Sequence, residues 1–110
     1  MKKKFEDAFR GLYEAVLDPA VFLQLVLGAM AVIAGFVLKL DRTEWLIVIL
    51  CIGLVVTGEI LNTCIEKLCD LYSTAYSERI RKIKDMSSGA VLFAALIALT
   101  AAVMILLNHI

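Results

Sequence analysis

Four polar residues, Glu59, Asn62, Glu66 and Asp70, follow one another through the segment GEILNTCIEKLCD at spacings of three and four. On a helix, at about 100° per residue, all four fall within one arc of about 80°. Carboxylates one or two turns apart with an amide between them form an oxygen donor set. Such a set suits a hard cation such as Mg²⁺, which takes oxygen ligands and usually keeps waters and substrate phosphates in its shell. Thr63 and Lys67 occupy a neighbouring strip. A second group stands in KIKDMSSGAV, where Lys84 and Asp85 immediately precede a long apolar run. The placement makes Asp85 or Ser87 a helix cap, and lets an anion such as phosphate approach Lys84 and the helix N-terminus together.

The elements that must position these residues are read from hydropathy. Of the 110 residues 62% are hydrophobic and the mean hydropathy is +0.90, against roughly 45–50% apolar residues in soluble domains. Val21 to Leu38 is eighteen residues without a charge, Trp45 to Gly58 is fourteen, and Met86 to Leu107 is twenty-two. Crossing a bilayer takes roughly 17–25 residues of helix. The middle run reaches that length only by continuing through Glu59 to Leu71, which places the polar face at the membrane boundary or just inside it. An Asp at a helix centre costs about 2.5–3.5 kcal/mol on insertion scales, so such groups are rarely retained without a partner or a task. A solvated helix end accounts for each acid singly; four polar groups on one arc favour a site.

The sequence therefore predicts an all-α membrane protein of one domain, with a surface helix over 4–17 and spans over 20–39, 45–71 and 86–107. Phe5, Phe9, Leu12, Tyr13 and Val16 recur at helical spacing, with Lys4, Glu6, Asp7, Arg10 and Glu14 on other faces, which is the pattern of an amphipathic helix lying in the interface. Asp18 followed by Pro19 reads as an N-cap and first helical residue. KLDRTEW is a short polar turn with Trp45 as an interfacial anchor, and YSTAYSERIRKIKD is a polar connection with helix only in its latter part. Lys2, Lys3, Lys4 and Arg10 precede the first span and Lys67, Arg79, Arg81, Lys82 and Lys84 lie at the second connection, against only Lys39 and Arg42 at the first. This asymmetry puts the N-terminus and the polar face in the cytoplasm. Nothing in Phe5 to Leu17 resembles a cleavable signal. Ala90, Ala94, Ala98 and Ala102, and Ala31 with Gly35, give small-residue stripes for close helix packing.

Other reactive types add little. Cys51, Cys64 and Cys69 have no CxxC spacing and read as packing residues, His109 reads as a surface residue, and no Gly-rich phosphate loop is present.

The pattern E-x-x-N-[ST]-x-I-E-x-x-x-D at Glu59, Asn62, Thr63, Ile65, Glu66 and Asp70, followed by Lys84 and Asp85 with GAVL close behind, resembles the prokaryotic diacylglycerol kinase family, which includes the undecaprenol kinases. FEDAFRGL is similar to that family's F-x-x-A-F-x-G-[IL] surface helix, and Glu44 with Trp45, together with Thr63 after Asn62, is similar to the undecaprenol kinase branch. The resemblance implies a homotrimer in the bacterial cytoplasmic membrane that phosphorylates a lipid alcohol with MgATP. It implies Glu59 as general base, Asn62 as an orienting residue, Glu66 as the Mg²⁺ ligand, and Asp70, Ala75, Tyr76, Ser77, Lys84 and Asp85 near the nucleotide. One position departs: counting from Gly11, Pro19 stands where the family has a metal-binding glutamate, leaving Asp18 or Glu14 as the substitute ligand. Two further readings fit the same residues, a catalytically degenerate assembly partner and a small proton-coupled transporter using Glu59, although transporter sites usually lie near the midplane.

Overall fold

Asp18 leaves the end of one helix with extended backbone and starts the next: its Oδ2 accepts from Ala20 N at 3.1 Å and Val21 N at 3.3 Å, with Pro19 at the first helical position, where no donor is needed. A computed structural model describes residues 1–110 as four α-helices: α1 (Lys2–Val16), α2 (Pro19–Leu38), α3 (Arg42–Tyr72) and α4 (Glu78–Asn108). The turn after α2 is closed by Lys39 in the left-handed region, φ 57°, and α3 starts at a capping box in which Asp41 and Glu44 satisfy each other's backbone N–H groups at 2.9 and 3.1 Å.

Three of the helices, α2, α3 and α4, are long and apolar enough to cross a membrane. At 31 residues each, α3 and α4 rise about 46 Å, well beyond the ~30 Å hydrocarbon core, so both must project from it. The projecting part of α4 is a finding. The helix begins at Glu78, about two turns ahead of the apolar run at Met86, and its cap is Ser77, whose Oγ accepts from Ile80 N at 3.4 Å. Asp85 and Ser87 are therefore interior helical residues and not caps, and Lys84 stands away from the helix start. The expectation failed because hydropathy marks where a helix becomes apolar, whereas the chain turns into helix where the serine offers a cap.

α3 is the central helix, packed on α4 along one side and on α2 along the other, while α1 meets α2. α3 and α4 run antiparallel in a register pinned at three levels: Glu44 with His109 at one end, Asn62 with Ser87, and Asp70 with Lys84 at the other. Trp45 folds back on α2, its ring centroid 4.9 Å from that of Phe36, and over Gly35. The chain buries only eight residues. Half of them are polar, namely Glu44, Glu59, Asn62 and Ser87, so its interior is a polar site and its apolar surface faces outward.

Candidate functional site

The four residues of the arc descend α3 from buried to open. Glu59 and Asn62 are both 8% exposed, Glu66 is half-buried and Asp70 is exposed. The register with α4 gives the reason: Ser87, at the start of the apolar run, meets Asn62 and Lys84 meets Asp70, so Glu59 lies inside the apolar zone and Asp70 beyond it. No protein group donates a hydrogen bond to Glu59; a carboxylate this sheltered and unpartnered is available to a proton or a ligand.

Asn62 uses both ends of its amide. Its Oδ1 accepts from the buried Ser87 hydroxyl at 2.7 Å, and its Nδ2 donates to Glu66 Oε1 at 3.0 Å. A hydroxyl hydrogen turns to an acceptor and a carboxylate can only accept, so the pair fixes which way the amide faces and where Glu66 is held. Ser87, which sequence reasoning considered only as a cap, thereby joins the polar face of α3. Its signal was a hydroxyl at the mouth of an otherwise apolar run, legible only once α3 and α4 are paired.

Asp18 and Glu14 fare differently. Asp18 Oδ2 accepts from Thr63 Oγ1 at 3.4 Å, which brings this carboxylate against α3 one turn from Glu59 and on the strip beside Glu66. Its Oδ1 receives no hydrogen bond. Glu14 is exposed on α1 and its side chain makes no hydrogen bond or ion pair. Nowhere do three carboxylate, His or Cys side chains converge to enclose an ion. What the face offers is the oxygens of Glu66 and Asp18 with open sides, a set that fits a cation retaining water and phosphate ligands. The three cysteines are free thiols, Cys69 buried and Cys64 exposed.

All of the residues that the resemblance implied near a nucleotide, Asp70, Ala75, Tyr76, Ser77, Lys84 and Asp85, line one polar cavity of about 330 Å³ where α3 hands over to α4. Lys84 Nζ donates to Asp70 Oδ1 at 2.7 Å across the two helices. Arg81 shares the wall and was not singled out by the sequence. In the loop, Tyr76 Oη donates to Glu78 Oε2 at 2.6 Å, which pushes the phenol above its ordinary pKa, while Arg81 and then Tyr76 hold the Glu78 carboxyl below its own. On the other side of Glu59, an apolar cleft of about 400 Å³ opens between α2, α3 and α4, starting one turn away at Val55 and Val56 and reaching Gly28, Ala98 and Ala102.

At the opposite end of the bundle, His109 is more than a surface residue. Its Nε2 lies 2.9 and 3.0 Å from the two oxygens of the buried Glu44, joining the end of α4 to the start of α3. Those oxygens accept, so Nε2 carries the proton.

The family model of prokaryotic diacylglycerol kinase matches residues 6–106. Among curated proteins, the chain is 36% identical to the undecaprenol kinase of Bacillus subtilis over 97 residues, 87% of this chain and 79% of that one. It is 33% identical to the diacylglycerol kinase of Escherichia coli over 103 residues, 93% and 84% of the two chains, and 37% identical to that of Helicobacter pylori over 82 residues, 73% and 63%.

Proposed function

The chain belongs to the prokaryotic diacylglycerol kinase family, and from that membership we propose that it transfers the terminal phosphoryl group of ATP to the hydroxyl of a membrane lipid alcohol, undecaprenol or diacylglycerol. The reaction takes place at the cytoplasmic face of the bacterial inner membrane. The observation that carries the reading is the position of Glu59: a buried carboxylate with no protein donor, on α3 one turn from Val55 and Val56 of an apolar cleft fit for a lipid tail and about three turns from Asp70 of a polar cavity fit for a nucleotide.

The lipid chain lies in the apolar cleft with its hydroxyl at Glu59. That carboxylate takes the hydroxyl proton as the lipid oxygen attacks the terminal phosphorus; the new O–P bond forms, the bond to the bridging oxygen breaks, and ADP leaves. Asn62, held by Ser87, keeps Glu66 in place. Glu66 and Asp18 would hold Mg²⁺, which would neutralise phosphate charge. Asp18 thus does the work that Pro19 cannot. Asp70, Ala75, Tyr76, Ser77, Lys84 and Asp85 hold the nucleotide, and Lys84 gives up part of its pairing with Asp70 to the phosphates.

The test is to reconstitute the purified protein in lipid vesicles with MgATP and either undecaprenol or diacylglycerol, and to assay for phosphorylated lipid. Product from one or both is expected. Folded protein that binds ATP and phosphorylates neither alcohol would overturn the kinase reading in favour of a degenerate assembly partner. The transporter reading is disfavoured by the site itself, whose polar groups collect at one end of the bundle.

A further inference from the structure

Arg81 stands in the wall of the polar cavity with its guanidinium engaged by carboxylates of its own helix. Nε donates to both Glu78 oxygens at 3.2 Å, Nη2 pairs with Glu78 as well, and Nη1 donates to Asp85 Oδ2 at 2.6 Å. Glu78 is itself gripped by the Tyr76 hydroxyl at 2.6 Å. Of the five N–H groups of the fork, one on each terminal nitrogen is left uncommitted. Both basic residues of this wall are thus paired with carboxylates, Arg81 with Glu78 and Asp85, and Lys84 with Asp70.

The two grips on Arg81 differ in kind. Glu78 engages the side of the fork through two nitrogens and is itself fixed from the loop, so it sets where the guanidinium sits. Asp85 makes a single contact on an exposed side chain, against the several made by the comparably exposed Glu78, which makes it the weaker grip. A polyphosphate carries several charges and matches the planar fork with two oxygens at once, so it displaces a lone exposed carboxylate. Resting on the nucleotide-site reading above, we propose that Arg81 is a phosphate-binding residue of this cavity, positioned by Glu78, which exchanges Asp85 for a phosphate oxygen when the nucleotide enters. The exchange also frees the Asp85 carboxylate within the cavity.

The experiment measures binding of a fluorescent trinitrophenyl-ATP to the full protein in lipid vesicles, alongside steady-state KM for ATP. Arg81→Gln is expected to raise Kd and KM for ATP about tenfold while kcat falls less. Arg81→Lys, which keeps the charge without the fork, recovers part of the loss, and Glu78→Gln weakens binding less than Arg81→Gln. Lys82→Gln, the same charge change one residue along and outside the cavity wall, leaves Kd within about twofold, so a general loss of basic charge is not what is read. An unchanged Kd in Arg81→Gln, or an equal loss in Lys82→Gln, overturns the proposal. If the unaltered protein binds the nucleotide but phosphorylates no lipid, the kinase reading falls and the Arg81 assignment stands on its Kd; if it binds none, both fall.

Discussion

Asn62 is a residue whose worth lies in having two different ends. Its carbonyl is spent on Ser87 and its amide nitrogen on Glu66, so one side chain carries positional information from α4 to the Glu66 carboxylate. Ser87→Ala leaves a buried carbonyl without its donor, at a cost of about 1–3 kcal/mol, and lets the amide turn. The expected outcome is a kcat lower by about tenfold, with KM for ATP and lipid little changed, and a lower Tm; Ser87→Thr, which keeps the hydroxyl, restores much of both. Equal kinetics for the alanine variant and the unaltered protein would remove Ser87 from the site. Glu59 is the contrasting case, because no protein group donates to it. Glu59→Gln keeps the shape and removes the base, so kcat should fall by about 10²–10⁴ while the nucleotide analogue binds as before. A retained rate would take the proton-acceptor role away from Glu59.

At the scale of the helices, the fold depends on a few close approaches. A Cβ added to Gly35 would lie 2.7 Å from the Trp45 ring, so Gly35→Ala must push the indole off Phe36 and is expected to destabilise by about 1–3 kcal/mol. Gly53, where a Cβ meets nothing within 4 Å, supplies the control: Gly53→Ala should leave the thermal midpoint unchanged or raised. Comparable losses in both would mean the strain is not at the Trp45 contact. The spans and the polar arc of α3 were legible in the sequence because each is carried by one helix, where period and face are local properties. The first two turns of α4 were only half legible. From Glu78 to Asp85 the only apolar residues are Ile80 and Ile83 among six charged ones, too few to mark a helix by hydropathy, so the helix there is specified by the Ser77 cap and by ion pairs such as Arg81 with Glu78. Ser87 was misread, and the contact of the exposed His109 was missed, for another reason. Their partners, Asn62 and Glu44, are fixed by how α3 and α4 slide against each other, and no pattern within either helix states that register.

For the molecule as a whole, the burial pattern is inverted with respect to a soluble domain: polar groups are inside, and large apolar residues such as Phe36, Leu50, Leu71 and Phe93 are outside. Lipid covers such faces, and so do copies of the same chain. A trimer, expected from the family likeness, should appear in native mass spectrometry as three times the chain mass of 12.1 kDa, and a monomer retaining full activity would remove that expectation. Orientation is the remaining global property, and it follows from charge. The end bearing the site carries Lys2, Lys3, Lys4, Arg10, Lys67, Arg79, Arg81, Lys82 and Lys84, and the other end only Lys39 and Arg42. Basic residues are retained on the cytoplasmic side during insertion, and ATP is there too, so on the proposed reading the asymmetry that orients the chain would also deliver the cavity to its phosphoryl donor. In a protein with Cys51, Cys64 and Cys69 replaced by alanine, a single Lys82→Cys should react with a membrane-impermeant maleimide in inverted inner-membrane vesicles and not in intact cells. A single Thr43→Cys, exposed at the start of α3, should do the reverse. The opposite labelling would place the site on the face without ATP, and would be incompatible with a kinase whatever the geometry of Glu59.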